Sequence, residues 1–346
     1  MVQKRHIAII AGGDSSEHDV SLRSAAGIYS FLDKERYNIS VINLQGHDWR
    51  VLPYDENRLT ITDEQLQDTD NWMQIDKNDF SYIHKGKKIR FDCAYITIHG
   101  TPGENGLLQG YLEMMEVPYT CCNVLAAAMT FNKYACNHYL QDFGINISRS
   151  ILLRKGQPRP TNEEITKQIG MPCFVKSNVG GSSFGCSKVK KIEGLEEAIN
   201  KAYGEGREVI CEAFMKGVEI TCGVYKTKEK AVAFPITEVV SKHEFFDYDA
   251  KYNGAVSEIT PARIPDEVRD KVQALTLKIY DILGCNGIIR VDYILTKGWK
   301  INLLEINTTP GMTATSFIPQ QVRAAGLDIK DVLTDIIENS IAVTYR

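Results

Sequence analysis

The sequence predicts a mixed α/β and α+β fold of two or three domains, and three observations support this prediction. The first third of the chain alternates strand and helix patterns, which is typical of a parallel sheet with helices on its faces. A glycine-rich loop at 178–185 separates two strand patterns, and a β-hairpin pattern lies at 288–306. At 346 residues the chain also exceeds what one hydrophobic core usually serves.

The predicted elements follow from hydrophobic periodicity and from helix start and stop residues. In the first third they are strands at 7–11, 39–44 and 93–98 and helices at 21–32 and 107–115. From about residue 132 they are helices at 133–143, 163–169 and 194–203 and strands at 150–153, 171–178, 186–191 and 208–214. The last third predicts strands at 219–225 and 230–239, a helix from 265 to 284, the hairpin, and a helix at 329–341. Residues 50–90 are polar and poorly periodic, and they predict no regular element.

Bulk composition excludes several classes of protein. A hydrophobic fraction of 43% with 24% charged residues is ordinary for a soluble globular protein, and a net charge of −4 provides no basic surface for nucleic acid. No apolar run approaches the roughly 20 residues that span a bilayer. The N-terminal apolar stretch passes directly into Gly12 and Gly13, which indicates a β-strand and not a signal peptide. The nine cysteines form no C-x-x-C motif and indicate reduced thiols in a cytoplasmic protein.

The C-terminal hairpin pattern carries the most chemistry. Its strands at 288–295 and 300–306 alternate apolar and polar residues around a Lys-Gly turn. Because side chains in a strand alternate with a period of two, Arg290 and Asp292 share one face of the first strand, and Glu305 and Asn307 share one face of the second. We expect the four side chains to converge across the hairpin. A set of oxygen ligands of this kind suits Mg²⁺ held together with a nucleotide. The alternative is an exposed hairpin with an ordinary scatter of charge.

Two glycine-rich loops are candidates for binding anions. The loop at 178–185 follows Lys176, and its backbone N–H groups could cradle phosphate oxygens. It lacks the G-K-[ST] sequence of a Walker loop, so we expect a lid between antiparallel strands, or only a turn. The loop at 11–17 lacks the third glycine of a dinucleotide-binding motif. It predicts a site for a small anion or a positioned polar side chain at the start of a helix.

Six segments in order resemble the ATP-grasp carboxylate–amine ligases, and among them the D-alanine–D-alanine ligases. They are SSEHDVS at 15–21, TIHGTPGENGLLQGYLE at 97–113, KSNVGGSSFGCSKV at 176–189, FFDYDAKY at 245–252, GIIRVDY at 287–293 and LLEINTTPGMT at 303–313. The resemblance implies three domains: an N-terminal parallel-sheet (pre-ATP-grasp) domain at 1–132, a central ATP-grasp subdomain with the lid at 133–215, and a C-terminal subdomain with the metal hairpin at 216–346. It implies ATP-dependent ligation of two D-alanines through an acyl phosphate, for peptidoglycan precursors.

The resemblance also implies how ATP is bound. Lys133 and Lys176 would contact its α- and β-phosphates, and Lys251 would reach its γ-phosphate. Phe214 and Phe245 would pack on the adenine ring. Glu212 would hydrogen-bond the adenine amino group, and Glu219 the ribose hydroxyls. The family often has a tryptophan at the position of Phe214. The implied ATP-binding set is Lys133, Lys176, Ser183, Glu212, Ala213, Phe214, Glu219, Phe245 and Lys251.

The resemblance implies a metal and catalytic set at the hairpin. Asp292, Glu305 and Asn307 would hold two Mg²⁺, or Mn²⁺. Arg290 would stabilise the transferred phosphoryl group and the oxyanion, with help from the backbone N–H of Gly311.

The amino-acid sites follow in the same way. Glu17 would bind the ammonium of the first D-alanine and join Ser182 and Tyr252 in a hydrogen-bonded chain. Ser316 and Phe317 would receive the carboxylate and methyl of the second D-alanine, where the family usually has Ser-Leu.

Two of the expected assignments have alternatives. His99 would lie near the second substrate, or it would only orient the turn at Gly100. In this family a tyrosine at the position of Tyr252 accompanies an amine as second substrate, whereas phenylalanine accompanies D-lactate. The sequence therefore favours the dipeptide over the depsipeptide formed with D-lactate. The alternative is an ATP-grasp ligase whose second substrate is D-lactate or D-serine. A non-catalytic nucleotide sensor would not need the full metal set, and a nicotinamide-dependent dehydrogenase would leave the hairpin unexplained.

The expected partners are small molecules, D-alanine and ATP, with no nucleic acid and no membrane. The resemblance further implies a homodimer.

Overall fold

A computed structural model describes residues 4–181, 185–241 and 256–343. The first third confirms the predicted alternation of strands and helices. Its elements are β1 (Arg5–Gly12), α1 (His18–Phe31), β2 (Tyr37–Gln45), β3 (Asp48–Leu52), α2 (Asp63–Gln67), β4 (Met73–Gln74), β5 (Tyr82–His84), β6 (Lys87–Ile89), β7 (Cys93–Ile96), α3 (Leu107–Met114) and α4 (Val124–Phe131).

The first sheet has the strand order β4-β3-β2-β1-β7. Strand β1 is parallel to both β2 and β7, which confirms the predicted parallel core. Strands β3 and β4 add an antiparallel edge within residues 50–90, where no regular element was predicted. The strands in that segment are two to five residues long and partly exposed, so they leave little periodic signal.

The middle of the chain forms a four-stranded antiparallel sheet in the order β10-β9-β11-β8. Its elements are α5 (Lys133–Gln141), β8 (Ser150–Arg154), α6 (Asn162–Ile169), β9 (Cys173–Ser177), β10 (Ser187–Val189), a 3-10 turn (Ile192–Gly194), α7 (Leu195–Ala202) and β11 (Glu208–Ala213). Strands β9 and β10 flank the glycine-rich loop and pair antiparallel, as predicted. Helix α6 begins with a capping box in which Thr161 and Glu164 each bond the other's backbone N–H.

The last third forms a six-stranded sheet in the order β15-β14-β12-β16-β17, with β13 paired to β12. Its elements are β12 (Gly217–Lys226), β13 (Ala231–Ala233), β14 (Thr237–Ser241), β15 (Val256–Ile259), α8 (Asp266–Ile282), β16 (Ile288–Thr296), β17 (Lys300–Asn307), α9 (Phe317–Ala324) and α10 (Ile329–Ala342). The single strand predicted at 230–239 is wrong: it divides into β13 and β14 at Pro235, which has no backbone N–H for a ladder. Helix α9 was not predicted.

The apolar core does not follow the order of the chain. One buried cluster joins β1 and α1, through residues such as Ile9 and Ile28, to Phe234, to Ile318 of α9 and to Ile336 of α10. The cluster therefore connects the beginning and the end of the chain. The domain boundaries at 132 and 215 stay a prediction. Among the described residues, no helix combines the length and apolar character needed to cross a bilayer.

Candidate active site

A cleft of about 730 Å³ lies between the glycine-rich loop, the four-stranded sheet and the β16–β17 hairpin. This volume falls within the range that small-molecule sites usually have. Many of the predicted site residues line it: Glu17, Lys133, Lys176, Glu212, Ala213, Phe214, Glu219, Arg290, Asp292, Glu305 and Phe317. The structure thus brings together side chains that are up to 300 residues apart in the sequence.

The predicted hairpin is confirmed, and the structure gives its register. Asp292 pairs with Glu305, and Arg290 pairs with Asn307 across the two strands. Arg290 donates from Nε to Asp292 Oδ1 at 2.9 Å and from Nη2 to Oδ2 at 2.8 Å. Burial alone would lower the pKa of Arg290, but the neighbouring carboxylates of Asp292 and Glu305 raise it. Strand β16 lies between β12 and β17 and is almost wholly buried, so the alternative of an exposed hairpin is wrong.

Lys133 is positioned by the start of α5. Its backbone N–H donates to Asn178 O at 3.1 Å, and Asn178 Oδ1 accepts from the N–H of Tyr134 at 2.9 Å. The Lys133 ammonium donates to Gly180 O at 2.5 Å and lies 3.9 Å from Glu305 Oε2. The amino end of α5, the glycine-rich loop and the hairpin therefore meet at this lysine.

Lys176 and Glu212 form a buried ion pair on β9 and β11. The Lys176 ammonium lies 2.8 Å from Glu212 Oε2, and the two side chains are 13% and 8% exposed. Burial alone would lower the pKa of Lys176, but Glu212 and then Glu305 hold it above its usual value. The ammonium therefore stays charged while it faces the cleft.

An aromatic wall closes the end of the cleft near β10 and β11. The rings of Phe174 and Phe214 lie 5.9 Å apart, and the Lys188 ammonium lies 4.4 Å from the centre of the Phe214 ring. Glu219 lies nearby on β12. Sequence reasoning assigned no role to Lys188, whose cation–π contact covers one face of a ring expected to pack on a base.

A second, smaller cavity of about 50 Å³ lies beside Glu17 at the N-cap of α1. It shares part of its wall with the main cleft and is also lined by His99 and Asn307. A Cβ atom on Gly181 would lie 2.3 Å from Glu17 Oε2, so only glycine lets the loop approach this carboxylate so closely. His99 is buried, and its Nε2 hydrogen-bonds with Ser24 Oγ at 3.2 Å.

The segment 311–317 lies at the end of the cleft where Arg290 is placed. The Arg290 guanidinium lies 5.3 Å from the centre of the Phe317 ring, which lines the cleft. Ser316 occupies the N-cap position of α9, and its Oγ hydrogen-bonds with Thr313 Oγ1 at 2.7 Å. A Cβ on Gly311 would meet Ser316 Oγ at 3.0 Å, which places the two residues side by side.

Five predicted site residues lie outside the described residues: Ser182, Ser183, Phe245, Lys251 and Tyr252. One residue that sequence reasoning passed over lines the smaller cavity. Glu104 belongs to the quoted segment at 97–113, and its place beside Glu17 was not apparent from spacing alone. The available signal was a carboxylate between two glycines in that segment.

The hairpin fits a hard divalent cation. In the described ranges, no group of three or more His, Cys, Asp or Glu side chains could hold a metal ion by itself. Asp292 and Glu305 are directly paired across two strands, where like charges repel unless a cation lies between them. Mg²⁺ commonly takes one or two carboxylates and completes its shell with phosphate oxygens and water. The donor set of Asp292, Glu305 and Asn307 matches that preference.

Solved structures share this architecture over almost the whole chain. The D-alanine-D-alanine ligase from Coxiella burnetii aligns with a TM-score of 0.86 at 27% identity, covering 99% of this chain and 95% of that one. The VanG D-Ala:D-Ser ligase from Enterococcus faecalis aligns with a TM-score of 0.85 at 28% identity, covering 98% and 100%. The fold is that of the ATP-grasp ligases, as the sequence predicted.

Sequence comparison is more specific. The family profile "D-ala D-ala ligase N-terminus" matches residues 6–122, and "D-ala D-ala ligase C-terminus" matches residues 139–338. The D-alanine--D-alanine ligase of Bacteroides fragilis (strain YCH46) is 63% identical over 336 residues, covering 97% of this chain and 99% of that protein. That of Parabacteroides distasonis is 58% identical over 339 residues, covering 98% of each. The chain belongs to the D-alanine–D-alanine ligase family, which confirms the resemblance; the family implies use of ATP.

Proposed function

We propose that this protein joins two D-alanines into D-alanyl-D-alanine, using ATP and an acyl phosphate intermediate, to supply peptidoglycan precursors. The observation that carries the proposal is that, in one cleft, a lysine-rich, aromatic end meets Glu17, Arg290 and the paired carboxylates of the hairpin. A carboxylate is a poor electrophile, and phosphoryl transfer to it requires alignment and charge neutralisation more than acid–base chemistry. This cleft offers both.

ATP would lie along the cleft from the aromatic end to the hairpin. Lys133 and Lys176 would contact its α- and β-phosphates, and both ammonium groups already face acidic oxygens at 2.8–3.9 Å. Glu212 would then be shared between Lys176 and the adenine amino group. Phe214, the backbone of Ala213 and Glu219 would receive the base and the ribose, with Ser183, Phe245 and Lys251 completing the set outside the described residues.

The hairpin would hold two Mg²⁺ or Mn²⁺ through Asp292, Glu305 and Asn307, and the bound ions would neutralise phosphate charge. Arg290 would then stabilise the negative oxygens of the transferred phosphoryl group and of the tetrahedral intermediate. Its two hydrogen bonds to Asp292 support this role, because they fix the guanidinium plane without any contribution from substrate. The N–H of Gly311 would be the second oxyanion donor.

Glu17 would bind the ammonium of the first D-alanine, next to the point where the glycine-rich loop approaches it. Ser182 and Tyr252, outside the described residues, would connect Glu17 to the two loops. The second D-alanine would place its carboxylate near Ser316 and its methyl group against Phe317. His99 would lie near this second substrate. The contact between Phe317 and Arg290 supports this placement, because it brings the expected methyl pocket to the expected oxyanion site.

ADP formation from ATP and Mg²⁺ tests the proposal, with D-alanine compared against L-alanine. We expect rapid ADP formation with D-alanine and a dipeptide product. Replacing the second substrate by D-serine or D-lactate separates a D-alanyl-D-alanine ligase from the two alternatives. Equal rates with both alanine enantiomers, or none with either, would contradict the proposal.

We also propose that the protein is a homodimer in the cytoplasm. Leu107 and Met114 on α3 and Leu125 on the adjoining α4 are 63%, 73% and 71% exposed, and large exposed apolar side chains grouped on one face often mark an interface. The nine thiols are free, as is usual in a reducing compartment. Sedimentation of wild type and of Leu107→Glu tests the dimer, because the charge at this face should yield monomers.

A further inference from the structure

Glu104 is held in the wall of the smaller cavity by the turn in which it lies. Its backbone N–H donates to Gly100 O at 2.8 Å, and the N–H of Gly100 donates to Glu104 Oε2 at 2.7 Å. The two hydrogen bonds are reciprocal, so they fix both the backbone and the carboxylate. The carboxylate therefore faces the cavity in one orientation without needing a ligand to hold it there.

The cavity has room for an amine. Its volume of about 50 Å³ exceeds the roughly 10–15 Å³ that one water molecule needs, so a small polar group such as an amine fits. It shares Glu17 and Arg290 with the main cleft. A nitrogen placed there would lie between the residue proposed for the first ammonium and the residue proposed for the oxyanion.

Charged and titratable groups face Glu104 from every neighbouring element. They are Glu17 of α1, His99 of its own turn, Lys133 of α5, Arg290 of β16 and Glu305 of β17. Burial, and then the charge of Glu17, raise the pKa of Glu104 to about 7, against the opposing effects of the Gly100 N–H, Thr309 and Lys133. At neutral pH this carboxyl group can therefore take up a proton and release it again.

Thr309 provides a place for that proton. Its hydroxyl donates to Ile98 O at 3.1 Å, and it lies near enough to the Glu104 side chain to lower the pKa of that carboxyl group. A hydroxyl has one proton and two acceptor positions. A protonated Glu104 can thus donate to Thr309 Oγ1 while Thr309 continues to donate to Ile98, and no buried group loses a partner.

We propose that Glu104 is the catalytic base that accepts a proton from the ammonium of the second D-alanine; this inference rests on the proposed function. The ammonium N–H bond breaks, the proton moves to a Glu104 oxygen, and the nitrogen keeps the electron pair. That pair forms the new C–N bond with the acyl carbon, and the C–O bond to phosphate then breaks. The surplus proton on nitrogen leaves with the phosphate, and Glu104 returns its own proton to water.

The other groups around the cavity are less suited to this step. Lys133 and Arg290 bring positive charge, and the Nε2 of His99 is hydrogen-bonded with Ser24. Glu17 lies against Gly181 and is assigned to the first ammonium. Glu305 is assigned to the metal ions, so Glu104 is the remaining carboxylate of this cavity.

The test compares two nucleophiles in wild type and Glu104→Gln. Glutamine keeps an oxygen for the Gly100 N–H but cannot take up the proton. Hydroxylamine is neutral at pH 7, so it attacks the acyl phosphate without a base, and its hydroxamate product reports the phosphoryl-transfer step alone. We expect dipeptide formation to fall by about 10²- to 10⁴-fold, the usual contribution of a general base, while hydroxamate formation stays near the wild-type rate.

The pH profile provides a second readout. In wild type, kcat/KM for dipeptide formation should rise with pH through about 7 as Glu104 loses its proton, and this limb should be missing in Glu104→Gln. Glu104→Asp, a shorter base, should recover part of the dipeptide rate. Glu113→Gln is the matched control, because Glu113 accepts from Tyr119 Oη at 2.6 Å on the neighbouring helix and should leave both products unchanged.

Three results would overturn the inference. One is dipeptide formation by Glu104→Gln at the wild-type rate, another is an equal loss of dipeptide and hydroxamate, and the third is an unchanged pH profile. A wild-type enzyme that forms neither product refutes the proposed function itself, which distinguishes that failure from a failure of the base.

Discussion

Arg290 and Asp292 lie two positions apart on β16 and are joined by two nearly parallel hydrogen bonds of 2.9 and 2.8 Å. Both side chains are less than a tenth exposed. Because Glu305 pairs with Asp292 from the opposite strand, the guanidinium is the nearest compensating charge for an acidic site. The arrangement fixes the positive charge of the Arg290 guanidinium at the point where negative charge would develop in the reaction.

Arg290→Ala should therefore abolish most of the turnover. Removal of one oxyanion donor typically costs about 2.7–4 kcal/mol, so kcat should fall by roughly 10²- to 10³-fold. ADP release under saturating ATP and D-alanine measures the loss. Arg154→Ala is the control, because Arg154 forms a comparable pair with Glu208 at 2.8 Å but is half exposed. A near-normal kcat for Arg290→Ala would refute the role.

The buried Lys176–Glu212 pair should contribute both to the stability of the fold and to the binding of ATP. Glu212→Gln leaves a buried ammonium without its charge partner, and breaking such a pair typically costs about 3–5 kcal/mol of unfolding free energy. KM for ATP should rise in parallel. Urea unfolding and ATP titration measure the two effects.

The double variant Lys176→Met/Glu212→Leu separates those effects. It removes both charges, so it should be more stable than Glu212→Gln and still fail to bind ATP. If the double variant is as unstable as the single one, the charge argument is wrong.

Gly287→Ala should destabilise the protein more than Gly284→Ala. Both glycines have positive φ, +70° and +60°, so alanine costs about 1–2 kcal/mol at either position. A Cβ at 287 would also lie 2.0 Å from the carbonyl oxygen of Thr120, whereas nothing lies within 4 Å of a Cβ at 284. The difference in urea unfolding free energy between the two variants isolates this backbone contact. Equal destabilisation would contradict the predicted clash.

His6 should make the protein sensitive to acid. Burial lowers the pKa of His6 to about 4, against an opposing effect of Asp92. The unfolded state binds the proton near pH 6.5 and the folded state only near pH 4. The free energy of unfolding is therefore unaffected by His6 above pH 6.5 and decreases as the pH falls towards 4. The loss should approach about 3 kcal/mol.

Melting temperatures between pH 7.5 and 4.5 test this prediction. His6→Gln should flatten the pH dependence, because glutamine does not titrate. His47→Gln, at an exposed position, should leave the wild-type dependence intact. A steep loss of stability that persists in His6→Gln would point to another group.

The β16–β17 hairpin shows what can be predicted from the sequence. Period-two alternation and a Lys297-Gly298 turn determine its strands, and Gly298 indeed has φ of +76°. The same reasoning was wrong at 230–239, where Pro235 interrupts an apolar run and divides one strand into two. Helix α9 escaped prediction because Pro319 lies in its first turn, a position that a helix tolerates but that resembles a break in the sequence.

The site was predicted only in part, for a physical reason. Asp292 and Glu305 lie in one local hairpin, so their pairing follows from strand geometry. Glu104, Lys133 and Glu17 belong to separate segments, and only the packing of several elements brings them to one cavity. Local periodicity contains no information about that convergence.

The cluster that joins the two ends of the chain has a consequence for biosynthesis. Tyr37 donates to Glu338 at 2.8 Å across 301 residues, and Leu333 and Ile337 of α10 share one apolar core with β1. The ribosome releases the first strands long before it makes this last helix. A nascent or prematurely terminated copy therefore exposes an apolar surface that is buried in the complete enzyme. Chaperones and proteases can distinguish the two forms by that surface alone.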